Sequence, residues 1–341
     1  MTIYLGVDAG NSKTVVLACL PSGKVAGAAR AGCGDIYGAP GEEAAVAAVL
    51  GAADAALAEA GAGRADVASA AFRLAGVDWP DDWEFWDDVL RQQWPGLTRS
   101  ILNDGFAAIR SGEPSGVGVA VNAGTAAAIA ARGPGGATWQ MGWWGQHAMG
   151  AIGLVSEAMK AAYLAELDAA PTTSLGPALL DFYGLPDLTE LNRWFTRRRN
   201  AADPAQRPRA ARVVMDAARQ GDPVATEIVR EQGRRLAFYA RIAASKVGLA
   251  STGEVGLASA SEAHIPVIMS GSILMDPDSS VAAALQDQLP GMLPGADPRR
   301  ATLPPVAGAA LDALAEGGIA ITPAVVQSLE STIPPASFFR T

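Results

Sequence analysis

Short apolar runs separated by turn residues open the chain and predict a hairpin-linked sheet. Three β-prone runs cover residues 3–7, 14–20 and 25–31, and residues 21–24 have turn composition. The pattern then alternates between helix and strand. It predicts a helix over residues 42–60 closed by Gly61, a strand over 67–74, a Trp-rich amphipathic helix over 81–93 and a strand ending at Asn103.

The same order of strands recurs further along the chain. Strands are predicted over residues 117–123, 125–132 and 137–141, with a Gly-rich turn at 133–136. Asp8-Ala9-Gly10 falls on Asn122-Ala123-Gly124, an offset of 114 residues (122 − 8). Chance can supply so short an identity in an Ala- and Gly-rich chain. The matching order of strand, turn and strand nevertheless favours an internal duplication.

The rest of the chain is predicted to be mostly helical. Helical spacing dominates residues 150–248, most clearly over 223–246, and a buried strand at 265–270 interrupts it. Helices follow, including residues 306–315, and residues 332–341 resemble a tail. A chain of 341 residues is long for one hydrophobic core. The expected units are residues 1–115, residues 116–300 with a helical insertion, and a helix within 301–330 that packs back on the first unit.

Composition indicates a globular protein, since half the residues are hydrophobic and 18% are charged. The net charge of −9 argues against nucleic-acid and anionic-membrane partners. The two cysteines, Cys19 and Cys33, do not form a disulfide framework. No signal pattern and no apolar run of about 20 residues is evident. We therefore expect a soluble cytoplasmic protein, with a homodimer as the base-rate assembly.

The turn after the first strand has the composition of a phosphate-binding loop. Its residues are Asp8, Ala9, Gly10, Asn11, Ser12, Lys13 and Thr14. Glycine lets backbone amides approach phosphate oxygens, the two hydroxyls add donors, and Lys13 adds charge. Asp8 suits a hydrated Mg²⁺, which takes few carboxylates. The loop lacks the Walker A spacing, and an ordinary hairpin turn is the alternative interpretation.

Two further segments extend this hypothesis. Gly124 and Thr125 lie in a second strand-to-strand turn, and two such turns would grip a triphosphate between them. Asn103 and Asp104 follow a strand and precede a helix, where Asp104 is placed to act as a general base toward a hydroxyl. A simple helix N-cap is the alternative role for that carboxylate.

Two loops have the composition of ligand-binding walls. Adjacent tryptophans between glycines at residues 142–147 predict a flat apolar wall that suits a sugar ring. A buried aromatic cluster that pins the turn is the alternative. Residues 270–272 (Ser-Gly-Ser) end a buried strand in a small-residue turn, which would approach an adenine and ribose closely.

The order of these elements resembles the actin-like ATPases, which include hexokinases and heat-shock 70 chaperones. Within them the chain is similar to the BadF/BadG/BcrA/BcrD-type group, which contains N-acetylglucosamine kinases and related sugar kinases. The resemblance spans nearly the whole chain. It rests on residues 8–14, Asn103-Asp104, Gly124-Thr125, Gly142 with Trp144-Gly145, Ser270-Gly271-Ser272, and the closing helix at 306–310.

The resemblance implies roles for individual residues, with Asp104 as the catalytic base and Asp8 near the metal. The ATP- and phosphate-binding set would be Asp8, Gly10, Asn11, Ser12, Lys13, Thr14, Gly124, Thr125, Gly271 and Ser272. The substrate-binding set would be Asp35, Asn103, Asp104, Gly142, Trp144, Gly145 and Gln146. Asp35 belongs to the turn formed by residues 34–37, which corresponds in position to a sugar-contacting turn of the group.

Departures from the group's pattern bear on the substrate. Ala126-Ala127 stand where the group usually continues Gly-Ser, so a hydroxyl donor is lost. Ala151-Ile152 stand where it carries Asp-Glu, and a missing partner for a substrate hydroxyl changes discrimination strongly. Asp35 replaces an Asn and is able to accept from a hydroxyl or pair with an amine.

The fold implied is α/β, with two actin-like (ribonuclease H-like) domains, each with a five-stranded mixed sheet, and a cleft between them. The function implied is transfer of phosphate from ATP, with Mg²⁺, to a hydroxyl of a sugar or amino sugar. A sensor that binds nucleotide or sugar with little catalysis, and an ATPase coupled to a protein partner, remain alternatives. A dehydratase activator with a bridging iron–sulfur cluster is disfavoured, because Cys19 and Cys33 lie near the first strands.

Overall fold

The computed structural model describes residues 1–250 and 264–339. The strands are β1 (Ile3–Ala9), β2 (Thr14–Cys19), β3 (Val25–Ala31), β4 (Val67–Leu74), β5 (Arg99–Asn103), β6 (Gly118–Ala123), β7 (Ala127–Arg132), β8 (Thr138–Gln140), β9 (Ile265–Ser270) and β10 (Ala296–Arg300). The helices are α1 (Glu42–Glu59), α2 (Pro80–Gln93), α3 (Ala107–Gly112), α4 (Ala151–Glu166), α5 (Leu175–Tyr183), α6 (Leu188–Thr196), α7 (Ala211–Arg219), α8 (Pro223–Lys246), α9 (Ser272–Met275), α10 (Ser280–Met292), α11 (Pro305–Glu316) and α12 (Pro323–Glu330).

The two predicted five-stranded sheets are present and have the same topology. The first has the order β3-β2-β1-β4-β5, and the second, taken from its opposite edge, has the order β8-β7-β6-β9-β10. In each sheet the first three strands pair antiparallel and the last two add in parallel. The repeated strand–turn–strand pattern of the sequence therefore corresponds to two sheets built in the same way.

Helices cover both faces of the first sheet. Its central strand β1 is apolar and almost entirely buried, as is usual for a strand enclosed on both sides. Helices α1 and α2 pack on one face, and α11 packs on the other from the far end of the chain. Gly6 permits this approach, because a Cβ there would overlap the backbone of Ala310.

The second sheet carries the larger hydrophobic core. Its core residues come from β6, β7 and β9 together with helices α4 to α8 and α10. Gly233 on α8 lies against the backbone at Ala284 on α10, so these two helices pack closely. On the opposite face Ile109 of α3 packs against Ala120. In residues 1–250 and 264–339, none of the helices combines the length and apolarity that a membrane crossing demands.

A buried ionic cluster joins elements of both sheets. Asp312 of α11 accepts from Arg73 of β4 at 2.7 Å, from Arg110 of α3 at 2.7 Å and from Arg132 of β7 at 2.8 Å. Burial alone would raise the pKa of Asp312, but the positive charges of Arg73, Arg132 and Arg110 prevail and hold it well below its usual range. We refer to these four residues as the arginine cluster.

The structure corrects the sequence predictions at two places. Residues 296–300 form β10, an edge strand that the sequence pattern did not predict. Residues 332–339 are not a free tail: Thr332 accepts a hydrogen bond from the backbone N–H of Val25 at 3.0 Å, and Phe338 and Phe339 pack near the first sheet. Residues 340–341 of that predicted tail lie outside the described part.

Candidate active site

A cleft of about 990 Å³ lies where the ends of the two sheets face each other, a volume in the range of small-molecule sites. It brings together twelve residues that the sequence had singled out. They are Asp8, Gly10, Asn11, Ser12, Lys13, Asp35, Asn103, Asp104, Gly124, Thr125, Gly142 and Ser272. Residues from positions 8 to 272 thus converge on one cavity.

The first glycine turn joins β1 to β2 at one wall of the cleft. The backbone N–H of Gly10 donates to the carbonyl of Lys13 at 2.8 Å, and the carbonyl of Gly10 accepts from the N–H of Gly34 at 3.1 Å. Asn11 and Ser12 at the tip are exposed. The hydroxyl of Thr14 lies beneath the turn, fully buried and without a hydrogen-bond partner among the described residues. The structure therefore places Thr14 outside the cleft, against its predicted phosphate contact.

Among the residues that the structure describes, Lys13 and Arg207 are the basic ones in the lining of the cleft. Partial burial lowers the pKa of Lys13, and the nearby charge of Arg30 adds to this effect while Asp8 opposes it. The ammonium group donates to the carbonyl of Phe339. Among the described residues Lys13 has no salt-bridge partner, so its ammonium group becomes available to a phosphate once the contact with Phe339 breaks.

The second glycine turn joins β6 to β7 on the opposite wall. The N–H of Gly124 donates to the carbonyl of Ala126 at 3.0 Å. Helix α4 begins against this turn, since the N–H groups of Ala151 and Ile152 donate to the carbonyls of Gly124 and Thr125 at 2.9 and 3.0 Å. The helix thereby rigidifies the turn, and its first two amides are already used. Ala126 and Ile152 give this wall an apolar surface.

Asp104 lies at the carboxyl end of β5, in the short 3₁₀ helix Asp104–Phe106. Asn103 caps that helix, since its side-chain oxygen accepts from the N–H of Gly105 at 2.9 Å. The carboxylate of Asp104 is thus free of the capping role that the sequence left open. Burial raises its pKa to about 7, and the negative charges of Asp8, Asp78 and Asp35 add to the effect.

Asp8 has a similarly perturbed carboxylate at the end of β1. Burial raises the pKa of Asp8 to about 7, and the charge of Lys13 lowers it only in part. Its side chain accepts no hydrogen bond from the described residues. Carboxylates that share a cleft, and whose charge a nearby cation offsets only in part, favour either a proton or a metal ion.

Asp78 is a cleft residue that sequence reasoning missed. The side-chain amide of Asn103 donates to its carboxylate at 3.0 Å, so it orients a residue of the predicted substrate set. Burial and the charges of Asp82 and Asp35 raise the pKa of Asp78. No motif marks it, but it follows β4, the parallel neighbour of β1. Ligands gather at the carboxyl ends of parallel strands, and that rule was the available signal.

The turn around Asp35 closes one end of the cleft. Asp35 is buried, and its carboxylate accepts from the N–H of Tyr37 at 2.9 Å and from the side chain of Asn11 at 3.2 Å. It therefore links the first glycine turn to the predicted sugar-side turn. Gly76 passes directly over this carboxylate with φ of 77°, a conformation and a proximity that favour glycine.

The tryptophan loop contributes to the cleft through Gly142, which was predicted, and through Trp143, which was not. Gly142 and Trp143 line it, and the ring of Trp143 meets Tyr37 edge to face at 6.3 Å. Trp144 and Gly145 lie outside the lining. Gln146 also lies outside it, with its N–H donating to the hydroxyl of Tyr239 at 2.8 Å.

The predicted adenosine turn contributes one of its two predicted residues to the cleft. Ser272 lines the cavity at the start of α9, whereas Gly271 lies behind it against Ala123 and Asn122. Gly271 has φ of 84° and no room for a side chain, so it shapes the turn without forming the wall.

The residues present suit a hydrated magnesium ion with a nucleotide. Within the ranges 1–250 and 264–339, no group of three His, Cys, Asp or Glu side chains is arranged as a metal cage. Mg²⁺ keeps most of its waters and takes one or two carboxylates plus phosphate oxygens. The unpartnered Asp8 beside a glycine turn fits that requirement.

The paired sheets, the shared cleft and the glycine turns define an α/β protein of the actin-like class, and solved structures agree. A Chromobacterium violaceum protein described as a candidate N-acetylglucosamine kinase has TM-score 0.65 and 24% identity, over 92% of this chain and 99% of that one. A Streptomyces griseus glucokinase of the ROK family, solved with glucose and AMPPNP, has TM-score 0.54 and 18% identity, over 91% and 98%. A Porphyromonas gingivalis candidate N-acetylglucosamine kinase has TM-score 0.57 and 14% identity, over 89% and 96%.

The chain belongs to the BadF/BadG/BcrA/BcrD ATPase family, whose model matches residues 5–313. No curated protein matches the chain in sequence. The family membership and the actin-like fold with two five-stranded mixed sheets, both expected from the sequence, are confirmed.

Proposed function

We propose that the protein transfers phosphate from ATP to a hydroxyl of a sugar or amino sugar. The observation that carries this proposal is Asp104, a carboxylate with a raised pKa that lies between two glycine turns in one cleft. Membership of an ATPase family supports ATP as the donor. The fold shared with proteins described as sugar kinases agrees with the acceptor class.

The nucleotide would span the cleft with its phosphates between the two glycine turns. The turn at Gly10 and Lys13 would hold one side, and Gly124 with Thr125 the other. Ser272 would lie toward the nucleoside. A magnesium ion held through water by Asp8 would supply charge neutralisation of the phosphates.

Asp104 would accept the proton of the acceptor hydroxyl as that hydroxyl attacks the terminal phosphate. Phosphoryl transfer needs mainly positioning and charge neutralisation, together with one such base. A base is most effective when its pKa lies near the working pH, and a value of about 7 meets that condition. We propose that residues 1–115 and 116–300 close on each other around the ligands and exclude water, which would otherwise compete as the nucleophile.

The acceptor end of the cleft favours a neutral or cationic sugar. The carboxylates of Asp35, Asp78 and Asp104 lie there, and Asn103 and Trp143 complete the wall. A carboxylate accepts from a hydroxyl or pairs with an amine, but it repels an anion. Glucosamine and N-acetylglucosamine are therefore the acceptors that we propose first, and acidic sugars the ones that we expect to fail.

A panel that measures ADP release with and without sugars tests the proposal. We expect release that depends on sugar, with glucosamine or N-acetylglucosamine above acidic sugars. Release that does not depend on sugar would favour an ATPase coupled to a protein partner. Binding of nucleotide without release would favour a sensor, an alternative that the apolar wall at Ala126 and Ile152 keeps open.

A further inference from the structure

A second cavity beside the cleft is walled mainly by tryptophan. It has a volume of about 370 Å³. Five of the eight tryptophans in the chain line it: Trp79, Trp83, Trp139, Trp143 and Trp144. We refer to it as the aromatic groove. It lies between α2 of the first sheet's layer and β8 with the following loop of the second sheet's layer.

The groove is open to solvent, although its walls are apolar. Four of its tryptophans are strongly exposed, with Trp83 at 44% and Trp144 at 67%. Single exposed aromatic residues are ordinary, but several that converge on one cavity indicate a binding surface. Other tryptophans of the same chain are buried, since Trp86 and Trp94 lie in the core. The exposed indole rings of the groove therefore contrast with the usual packing of this residue type in the protein.

The groove adjoins the cleft that holds Asp104. The two cavities share Asp78, Asn103, Gly142 and Trp143 as a common wall. A molecule bound at Asp104 therefore needs to extend only past this wall to reach the tryptophans. This shared wall argues that the occupant of the groove is part of the acceptor rather than an independent ligand.

The chemistry of the walls selects the kind of extension. Asp78 is the one charged residue in the lining that the structure describes, so an acidic or phosphorylated group would be repelled. Thr138 and Gln140 supply polar groups among the indoles. The Gln140 side chain donates to the carbonyl of Val77 at 2.9 Å, while its own oxygen has no partner in the described residues. Aromatic faces with a few polar groups match a ring that has apolar C–H faces and a rim of hydroxyls.

We propose that the aromatic groove binds a second sugar ring, so that the acceptor is a neutral or amino disaccharide or a longer glycoside. This inference rests on the proposed function for the position of the first ring. The reacting ring lies at Asp104, and the glycosidic bond passes Gly142, where the wall carries no side chain. The second ring packs on the indoles, of which Trp83 lines the groove but not the cleft.

Two paired titrations test the inference without requiring catalysis. Intrinsic fluorescence is measured while N-acetylglucosamine or its β-1,4-linked dimer is added, and the same pair is repeated for glucosamine. We expect each dimer to bind more tightly than its monomer. Trp83→Ala should weaken dimer binding about tenfold, as the loss of a stacking contact predicts, and leave monomer binding unchanged. Trp83→Phe, which keeps a ring, should recover part of the difference.

Phe182→Ala is the matched control, because Phe182 is 45% exposed and lines neither cavity. Equal weakening of monomer and dimer by Trp83→Ala, or dimers that bind no better than monomers, would overturn the inference. If Trp83→Ala converted a protein dimer into a monomer while binding of the disaccharide stayed unchanged, the groove would be a subunit interface. That result would also overturn the inference. Tight dimer binding through Trp83 without any ADP release would reject the kinase proposal and support the groove.

Discussion

Asp104 and Asp312 are both carboxylates withdrawn from water, yet their surroundings drive them to opposite states. Asp104 lies among Asp8, Asp35 and Asp78, and burial raises its pKa to about 7. Asp312 accepts from three arginines, and their charges hold its pKa well below the ordinary 3.8. The cleft thus gathers four carboxylates whose charge the described basic residues of its lining, Lys13 and Arg207, offset only in part, whereas the arginine cluster surrounds one negative charge with three positive ones.

The difference separates a reactive site from a structural one. A buried charge with fixed partners is already satisfied and gains nothing from a ligand. Carboxylates left without partners gain when a proton, a metal ion or a hydroxyl arrives, and such perturbed groups concentrate at functional sites. The same residue type therefore suits the chemical role that we propose for it in the cleft, and at Asp312 it joins elements of the two sheets.

Replacing the cleft carboxylate should have the largest effect. Asp104→Asn removes the proposed base while keeping the size of the side chain, so kcat for sugar phosphorylation should fall at least 10²-fold. Binding of ATP should stay within about threefold of wild type, because the glycine turns are intact. Steady-state ADP release and calorimetric ATP titration measure the two quantities, and unchanged turnover would refute the assignment of the base.

Replacing the structural carboxylate should affect stability instead. Asp312→Asn removes the charge that the buried Arg73 and the partly buried Arg110 and Arg132 share, and a broken buried pair costs about 3–5 kcal/mol in the free energy of unfolding. Urea denaturation measures the loss. Glu316→Gln is the control, because Glu316 also contacts Arg73 but is 33% exposed, and about 1 kcal/mol or less is expected there. Equal losses in the free energy of unfolding for both variants would show that Asp312 contributes no more to stability than Glu316 does.

The pH dependence should distinguish the two carboxylates by sign. Since Asp104 must be ionised to act, kcat/KM should fall about tenfold per unit as the pH drops below about 7. The raised pKa of Asp104 also affects stability, because the folded state then binds more protons than the unfolded state between about pH 4 and 7. The free energy of unfolding attributable to Asp104 therefore decreases as pH rises through that window.

Asp312 should contribute the opposite slope at lower pH. Its folded pKa is depressed, so its stabilisation is present above the ordinary 3.8 and is lost as pH falls toward the folded value. Urea denaturation from pH 3 to 8 measures both slopes. Asp104→Asn should reduce the slope between about pH 4 and 7, to which Asp8 with its similarly raised pKa also contributes, and Asp312→Asn should reduce the slope at lower pH. A wild-type profile that neither substitution alters would contradict the two environments described above.

Much of the fold was predictable because local pattern and tertiary structure agree. The predicted limits of β3, α8 and β9 coincide with the structure, as apolar runs and helical spacing define them. β10 was missed because Asp297, Pro298 and two arginines oppose strand propensity. Proline is tolerated there since β10 is an edge strand, with β9 as its neighbour.

The candidate site was predictable where residues lie in recognisable turns and not where tertiary packing places them. The glycine turns and Asn103-Asp104 carry local motifs. Asp78 has none, and only the pairing of β4 with β1 brings it to the cleft. The choice between Trp143 and Trp144 depended on the direction that each side chain takes from a one-turn 3₁₀ helix, which composition does not reveal. The roles of these residues remain predictions until they are measured.

The packing of α11 on β1 has a consequence for synthesis of the chain. β1 leaves the ribosome about 300 residues before the helix that covers its second face. At the usual elongation rates of about 5–20 residues per second, that face stays uncovered for roughly 15–60 s. The strands of the first sheet end at Asn103, but its covering helix α11 follows only after β10 has completed the second sheet at Arg300. A nascent chain would therefore need protection at β1 and β4, and circular permutants that start at residue 301 should shorten that exposure.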